Sequence, residues 1–272
     1  MRAAEWLNLI YFASFVGLAW LRQLSPERRW NASSIGAAGL GLTLAAIVSG
    51  DYLSPAASAI VRYWSPVPFM LLAYWQAGQF FVAPDLKLQA RLEELDRRWL
   101  GTLVAHPWRG GLGQYLEFAY LFCYPVVPLA LAALYLGGNA ASADEFWRVV
   151  LPASYFCYAM VPFLQTLPPR VREEAHTFGA MPGWLRKLNL TILRRASIHA
   201  NTFPSAHVAA SLAAALAVLR YLPGEGTVFL WIAASIAAGA VLRRYHFALD
   251  VLIGALVAVT SLALHAFSAA SR

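Results

Sequence analysis

The sequence predicts an all-α fold, a polytopic membrane bundle of about eight transmembrane helices. Three observations predict it: an apolar excess, the grouping of that excess into long blocks, and the placing of basic residues between the blocks. Of 272 residues 60% are hydrophobic and 13% charged, with a mean hydropathy of +0.54. A soluble domain carries roughly half apolar and a quarter charged residues. A helix that crosses roughly 30 Å of hydrocarbon needs about 20 mostly apolar residues. Blocks of this kind run over about 3–21, 34–50, 60–82, 115–137, 146–167, 206–222, 226–242 and 249–267.

The first block is too long for the apolar stretch of a signal peptide and ends in Leu21-Arg22-Gln23 with no small-residue cleavage site, so it reads as a retained span. The second and seventh are near the short limit. Pro66 and Pro68 predict a kink or a late start in the third. Between the third and fourth, Leu86, Leu88, Leu92, Leu95, Trp99 and Leu103 recur at roughly helical spacing among charges. The 83–114 segment therefore reads as an amphipathic helix in the membrane interface, structural or forming a wall for a lipid entering sideways. Cys123 and Cys157 lie inside apolar blocks and read as buried thiols, and no spacing resembles a metal site. The 168–205 connection carries two breaker signals, Pro168-Pro169 and Met181-Pro182-Gly183. Without a repeat or a low-complexity linker, residues 1–272 form one membrane domain: spans within 1–82, the interfacial segment, and the remainder 115–267.

The net charge is +7. With eight alternating spans, connections 22–33, 83–114, 168–205 and 243–248 share one face and hold 16 of the 21 Lys and Arg residues. Arg2, Arg62, Arg148, Arg220 and Arg272 lie at or near the other. Topology accounts for this distribution better than nucleic-acid binding does, and by the positive-inside rule the richer face is cytoplasmic. No inverted repeat or pair of broken spans suggests a transporter.

Candidate chemistry gathers on that richer face. Pro204-Ser205 precedes the sixth block, where proline starts a helix and serine caps it. His207 falls in the first turn, beside a helix N-terminus suited to an anion. Across the next hairpin, Arg243-Arg244-Tyr245-His246 runs into the last block, and His246 and Asp250 are four residues apart, on one helix face. The carboxylate is expected to hold one imidazole nitrogen and leave the other free to act. Two spans separate the histidines, so both emerge on the same side.

Phe203-Pro-Ser-Ala-His207 and His246-x3-Asp250 resemble two of the three signatures of the type 2 phosphatidic acid phosphatase superfamily, over about residues 115–267. The resemblance implies a six-helix phosphatase-like core acting without a cofactor or metal on a membrane lipid bearing a phosphate or diphosphate. It implies catalytic roles for His246 as nucleophile, Asp250 as its orienting group and His207 as acid, with Ser205 binding the phosphoryl oxygens. Two departures accompany it. The arginine usual six residues before the second histidine is Ala240, for which Arg243 or Arg244 would substitute as phosphate ligand. The third signature is replaced by Gln165-Thr166-Leu167-Pro168-Pro169-Arg170, a pattern similar to the inositol phosphorylceramide synthase-like branch, with Arg170 as phosphate ligand. Hydrolysis, or transfer to a lipid alcohol acceptor, both remain open, as does a non-catalytic lipid-binding role. The resemblance places the site in the cell membrane's extracytoplasmic face, against the charge count. His106, His176, His199 and His265 match no motif position, and Arg194 and Arg195 read as loop charges.

Overall fold

A computed structural model describes residues 1–106, 108–173 and 183–271. Of the residues named above, His176, Met181, Pro182 and Arg272 lie outside them. The fold is an all-α helical bundle, and α1 (Ala3–Leu21) and α2 (Pro26–Tyr52) open it as a hairpin. Ser25 caps α2 by accepting from Arg28 N at 3.4 Å, ahead of Pro26. The third block is broken at Ser65 into α3 (Pro55–Trp64) and α4 (Pro66–Gly78), as the prolines predicted. Asp85 caps α5 (Leu86–Leu100), accepting from Lys87 N and Leu88 N at 2.9 and 3.1 Å, and Gly101 ends it with a φ of 45°. A single turn, α6 (Thr102–Ala105), follows.

The fourth block is α7 (Gly110–Leu121) and α8 (Val126–Leu136), bent by 71°. Next come α9 (Ala143–Ala159), the short α10 (Pro169–Glu173) and α11 (Trp184–Ala196). The chain ends in α12 (Ala206–Leu219), α13 (Pro223–Leu242) and α14 (Ala248–Ala270).

The eight apolar blocks make eight passes between two ends of the bundle. Among the described residues α1, α2, α13 and α14 are the helices long and apolar enough to cross a membrane by themselves, with α7–α8 a fifth if the bent pair counts as one span. Against about eight expected spans, four to five among the described residues meet the length and hydropathy of a crossing helix, consistent with an all-α polytopic bundle. Prolines break one pass, a bend divides another, and α9 and α12 stop at 17 and 14 residues. At 1.5 Å per residue α12 is only about 21 Å long. It packs among α8, α9, α13 and α14, and its Ala-rich surface is buried nearly all round, so protein and not lipid surrounds it.

One end of the bundle gathers the predicted basic face. There the Arg28 guanidinium donates to the carbonyls of Gln79 and Phe81, and Asp85 N donates to Gln165 O at 2.7 Å. The other end holds Arg62 on Glu5 at 2.6 Å, Arg148 on Asp144 at 2.9 Å, and Glu145 between Tyr221 and His265. His265 therefore sits at the far end. Cys123 and Cys157 are buried free thiols, as expected.

The amphipathic segment forms the helix α5 with one face buried and apolar side chains also on its exposed face. The buried face of α5 is Gln89, Leu92 and Asp96, whereas Leu86, Trp99 and Leu103 are exposed. Leu92 packs with Phe203 and Phe247, a small core of its own beneath the two motif loops.

Candidate active site

The last two passes meet where α12 begins. Ser205 N donates to Asp250 O at 2.9 Å, and the Ser205 hydroxyl accepts from Val208 N at 3.5 Å as the α12 cap. A Cβ on Gly254 would stand 2.6 Å from Ser205 O, so glycine is what lets α14 approach this loop. Asp250 stands in the first turn of α14, and its Oδ2 accepts from Phe247 N at 3.0 Å, capping the helix. The same oxygen lies 3.3 Å from His246 Nδ1 and accepts from Asn201 Nδ2 at 2.6 Å. One carboxylate oxygen thus ends a helix and holds an imidazole whose Nε2 is left open.

His207 meets His246 with ring centroids 5.7 Å apart at 78°. The α7–α8 bend sets Tyr120 and Tyr124 edge-on to His207 at 5.8 and 5.9 Å. A small cavity of about 20 Å³ opens on the pair, lined also by Arg170, Asn201, Thr202, Tyr74, Tyr120 and Tyr245. Arg170 N donates to Arg244 O at 3.0 Å, and its guanidinium lies over the Tyr245 ring at 5.5 Å. Burial, and then the Arg170 charge, push the His246 imidazole from its usual 6.5 down to about 3. It is a neutral base across the whole of the physiological range.

Among the described residues Arg170 is the arginine that lines this cavity. Arg243 and Arg244, expected as phosphate ligands, are not among the residues that line it. Both lie where α13 ends and face buried carboxylates on other helices. Arg243 Nε donates to Glu117 at 2.6 Å, and Arg244 Nη1 donates to Asp96 at 2.6 Å. Ser205 is fully buried as a cap and likewise does not line the cavity. Ala240, in place of an arginine, is fully buried, and its carbonyl accepts from Tyr245 N and His246 N at 2.8 and 2.9 Å.

Sequence reasoning missed the groups behind the histidines. Glu117 accepts from Arg243, from Arg186 at 3.3 Å, from Asn189 at 2.8 Å and from the Tyr245 hydroxyl at 2.6 Å. A lone carboxylate in an apolar block was itself a signal, because such groups are functional by default. Asp96 Oδ1 accepts from Ala248 N at 2.8 Å, and Gln89 exchanges bonds with the Leu167 backbone at 2.9 and 3.2 Å. Asn201 and Thr166, joined by an isolated antiparallel bridge, carried no signal beyond their place at segment boundaries. The other described histidines stand apart: His199 is exposed, His106 lies edge-on to Trp108 and His265 faces Glu145. Arg194 and Arg195 are exposed at the end of α11. Among the described residues no three His, Cys, Asp or Glu side chains converge as a metal site would require.

The site joins a buried His246, held by a carboxylate, to a half-buried His207 on a cavity that Arg170 lines. A family model for the PAP2 superfamily matches residues 86–264, about two thirds of the chain, and the protein belongs to that superfamily. The match begins at the first residue of α5 and so takes in the helix beneath the motif loops. No curated protein and no solved structure matches the chain significantly. Membership makes it, at a coarse level, a membrane protein of the phosphatase type.

Two outcomes test this geometry. In detergent, nitrogen-15 histidine spectra will show His246 neutral down to about pH 4, since its lowered proton affinity favours the base; protonation near 6.5 would contradict the burial described. Glu117→Ala will destabilise the protein by about 3–5 kcal/mol, because it strands buried guanidinium charges, read as the change in unfolding free energy.

Proposed function

We propose that the protein is an integral-membrane enzyme that takes a phosphoryl group from a lipid phosphate or diphosphate through a phosphohistidine on His246. The observation that carries this reading is the His246–Asp250 pair at 3.3 Å with the His207 ring 5.7 Å away, on one cavity with Arg170. Neutral His246 Nε2 attacks phosphorus in line while Asp250 holds Nδ1–H. The bond from phosphorus to the lipid oxygen breaks, and His207, protonated beside the bound phosphate's negative charge, gives that oxygen its proton. In the second half His207 takes a proton from water, or from a lipid hydroxyl, as its oxygen attacks phosphorus and the P–N bond breaks. Water gives hydrolysis; an alcohol gives transfer, the inositol phosphorylceramide synthase-like outcome.

Arg170 and the N-terminus of α12, where Ala206 and His207 line the cavity, supply positive potential for the equatorial oxygens. The chain's own groups thus account for binding, attack and proton transfer. We place the site on the extracytoplasmic face of the cell membrane. The family resemblance supports this, and so does the burial of Arg170, Arg186, Arg243 and Arg244, whose position follows from the construction of the site and inflates the charge count on that side.

The assay is phosphate release in detergent from phosphatidate, diacylglycerol pyrophosphate and polyprenyl diphosphate, with and without an alcohol acceptor. His246→Ala will lower turnover by about 10³-fold or more, and His207→Ala by about 10²–10⁴-fold. No turnover on any substrate, or turnover unchanged in His246→Ala, refutes the mechanism; lipid-dependent thermal stabilisation without turnover would instead mark a binding protein. For sidedness, the buried native thiols leave a clean background. An impermeant thiol reagent on intact cells will label Lys87→Cys and spare Asp51→Cys and Ala141→Cys; the reverse pattern puts the site inside.

A further inference from the structure

We propose that Asn201 is a positioning residue for the nucleophile, the middle of a relay running Thr166–Asn201–Asp250–His246; this rests on the reading of His246 given above. Asp250 Oδ2 has three neighbours: His246 Nδ1 at 3.3 Å, Phe247 N at 3.0 Å and Asn201 Nδ2 at 2.6 Å. The Phe247 bond is local to the α14 cap. The Asn201 bond is the shortest, and it comes from a separate segment 49 residues away.

Asn201 is itself held on both sides. Its backbone N–H donates to Thr166 O at 2.8 Å, and Nδ2 also donates to Thr166 Oγ1 at 3.1 Å. Both hydrogens of one amide are thereby used, and a carboxylate, which only accepts, requires that the nitrogen face it. The residue is 2% exposed. The relay ties together three segments that sequence keeps apart: the stretch before Arg170, the loop before His207, and the turn carrying His246 and Asp250. The charged and titratable groups around Asn201 on this cavity are Asp250, His246, His207, Arg170, Tyr74, Tyr120 and Tyr245.

Aspartate at 201 matches asparagine in shape and separates positioning from packing. Ionised, it sets acceptor against acceptor at Asp250; protonated, it donates as the amide does. In the phosphate-release assay on the substrate that wild type turns over, Asn201→Ala lowers kcat about 10- to 100-fold, the range seen when a partner behind a metal-bound histidine is lost, with KM within about twofold. The activity of Asn201→Asp relative to wild type rises several-fold as pH falls from about 8 to about 5. The His246 Nδ1–H proton signal, assigned by its loss in His246→Ala, shifts in Asn201→Ala. Wild-type kcat in Asn201→Ala, a ratio flat with pH for Asn201→Asp, or an unmoved proton signal overturns the relay. A fully active His246→Ala overturns the nucleophile assignment instead, and if no substrate turns over, the proton signal alone decides the relay.

Discussion

The turn between α13 and α14 is held by two buried carboxylates, and the site depends on that restraint. Glu117 on α7 takes Arg243 and the Tyr245 hydroxyl, while Asp96 on α5 takes Arg244 and the first N–H of α14. His246 lies between these holding points. Charges in an apolar bundle persist only when paired and hydrogen-bonded, so each carboxylate fixes the chain where its partners are. Arg244 has a φ of 61°, uncommon for a residue with a Cβ, and its ion pair with Asp96 helps hold that conformation.

The same restraint explains the short central helix. Because α12 begins inside protein, its first turn opens on a cavity and not on lipid, and His207 enters beside Tyr120 and Tyr124. Tyr120 also stacks on Tyr245 at 3.7 Å, so the bent α7–α8 pair touches both histidine segments. Gly254 completes the approach by letting α14 lie against the Ser205 loop. Helix caps, commonly a matter of local stability, here also shape the site: one Asp250 oxygen closes the first turn of α14 and lies 3.3 Å from His246 Nδ1.

The helices before residue 86 lie outside the matched family region, yet α4 reaches the cavity. Tyr74 lines it, with its oxygen accepting from Ile198 N at 3.2 Å, and Trp75 Nε1 donates to Ala196 O at 2.8 Å. A Cβ on Gly78 would collide with Ile198, so the two segments pack without a gap. The loop leading to His207 is therefore supported from the N-terminal helices as well as from the core.

The sequence by itself determined the apolar helical blocks and the pairing of His246 with Asp250, because hydrophobic blocks and i,i+4 spacing are local properties. His207, His246 and Asp250 were legible for that reason, and so was the break at Pro66. Tertiary structure alone decided the arginines. Arg243 and Arg244 stand beside His246 in sequence, but the nearest buried carboxylates, on α5 and α7, draw their side chains off the cavity and leave Arg170 on it. It also decided Asn201 and Thr166, whose contacts with Asp250 and with each other join positions 35 and 49 residues apart. Tertiary structure also decided which apolar helices are surrounded by protein, α12 above all, since hydropathy reports an apolar environment and the inside of a bundle is as apolar as lipid.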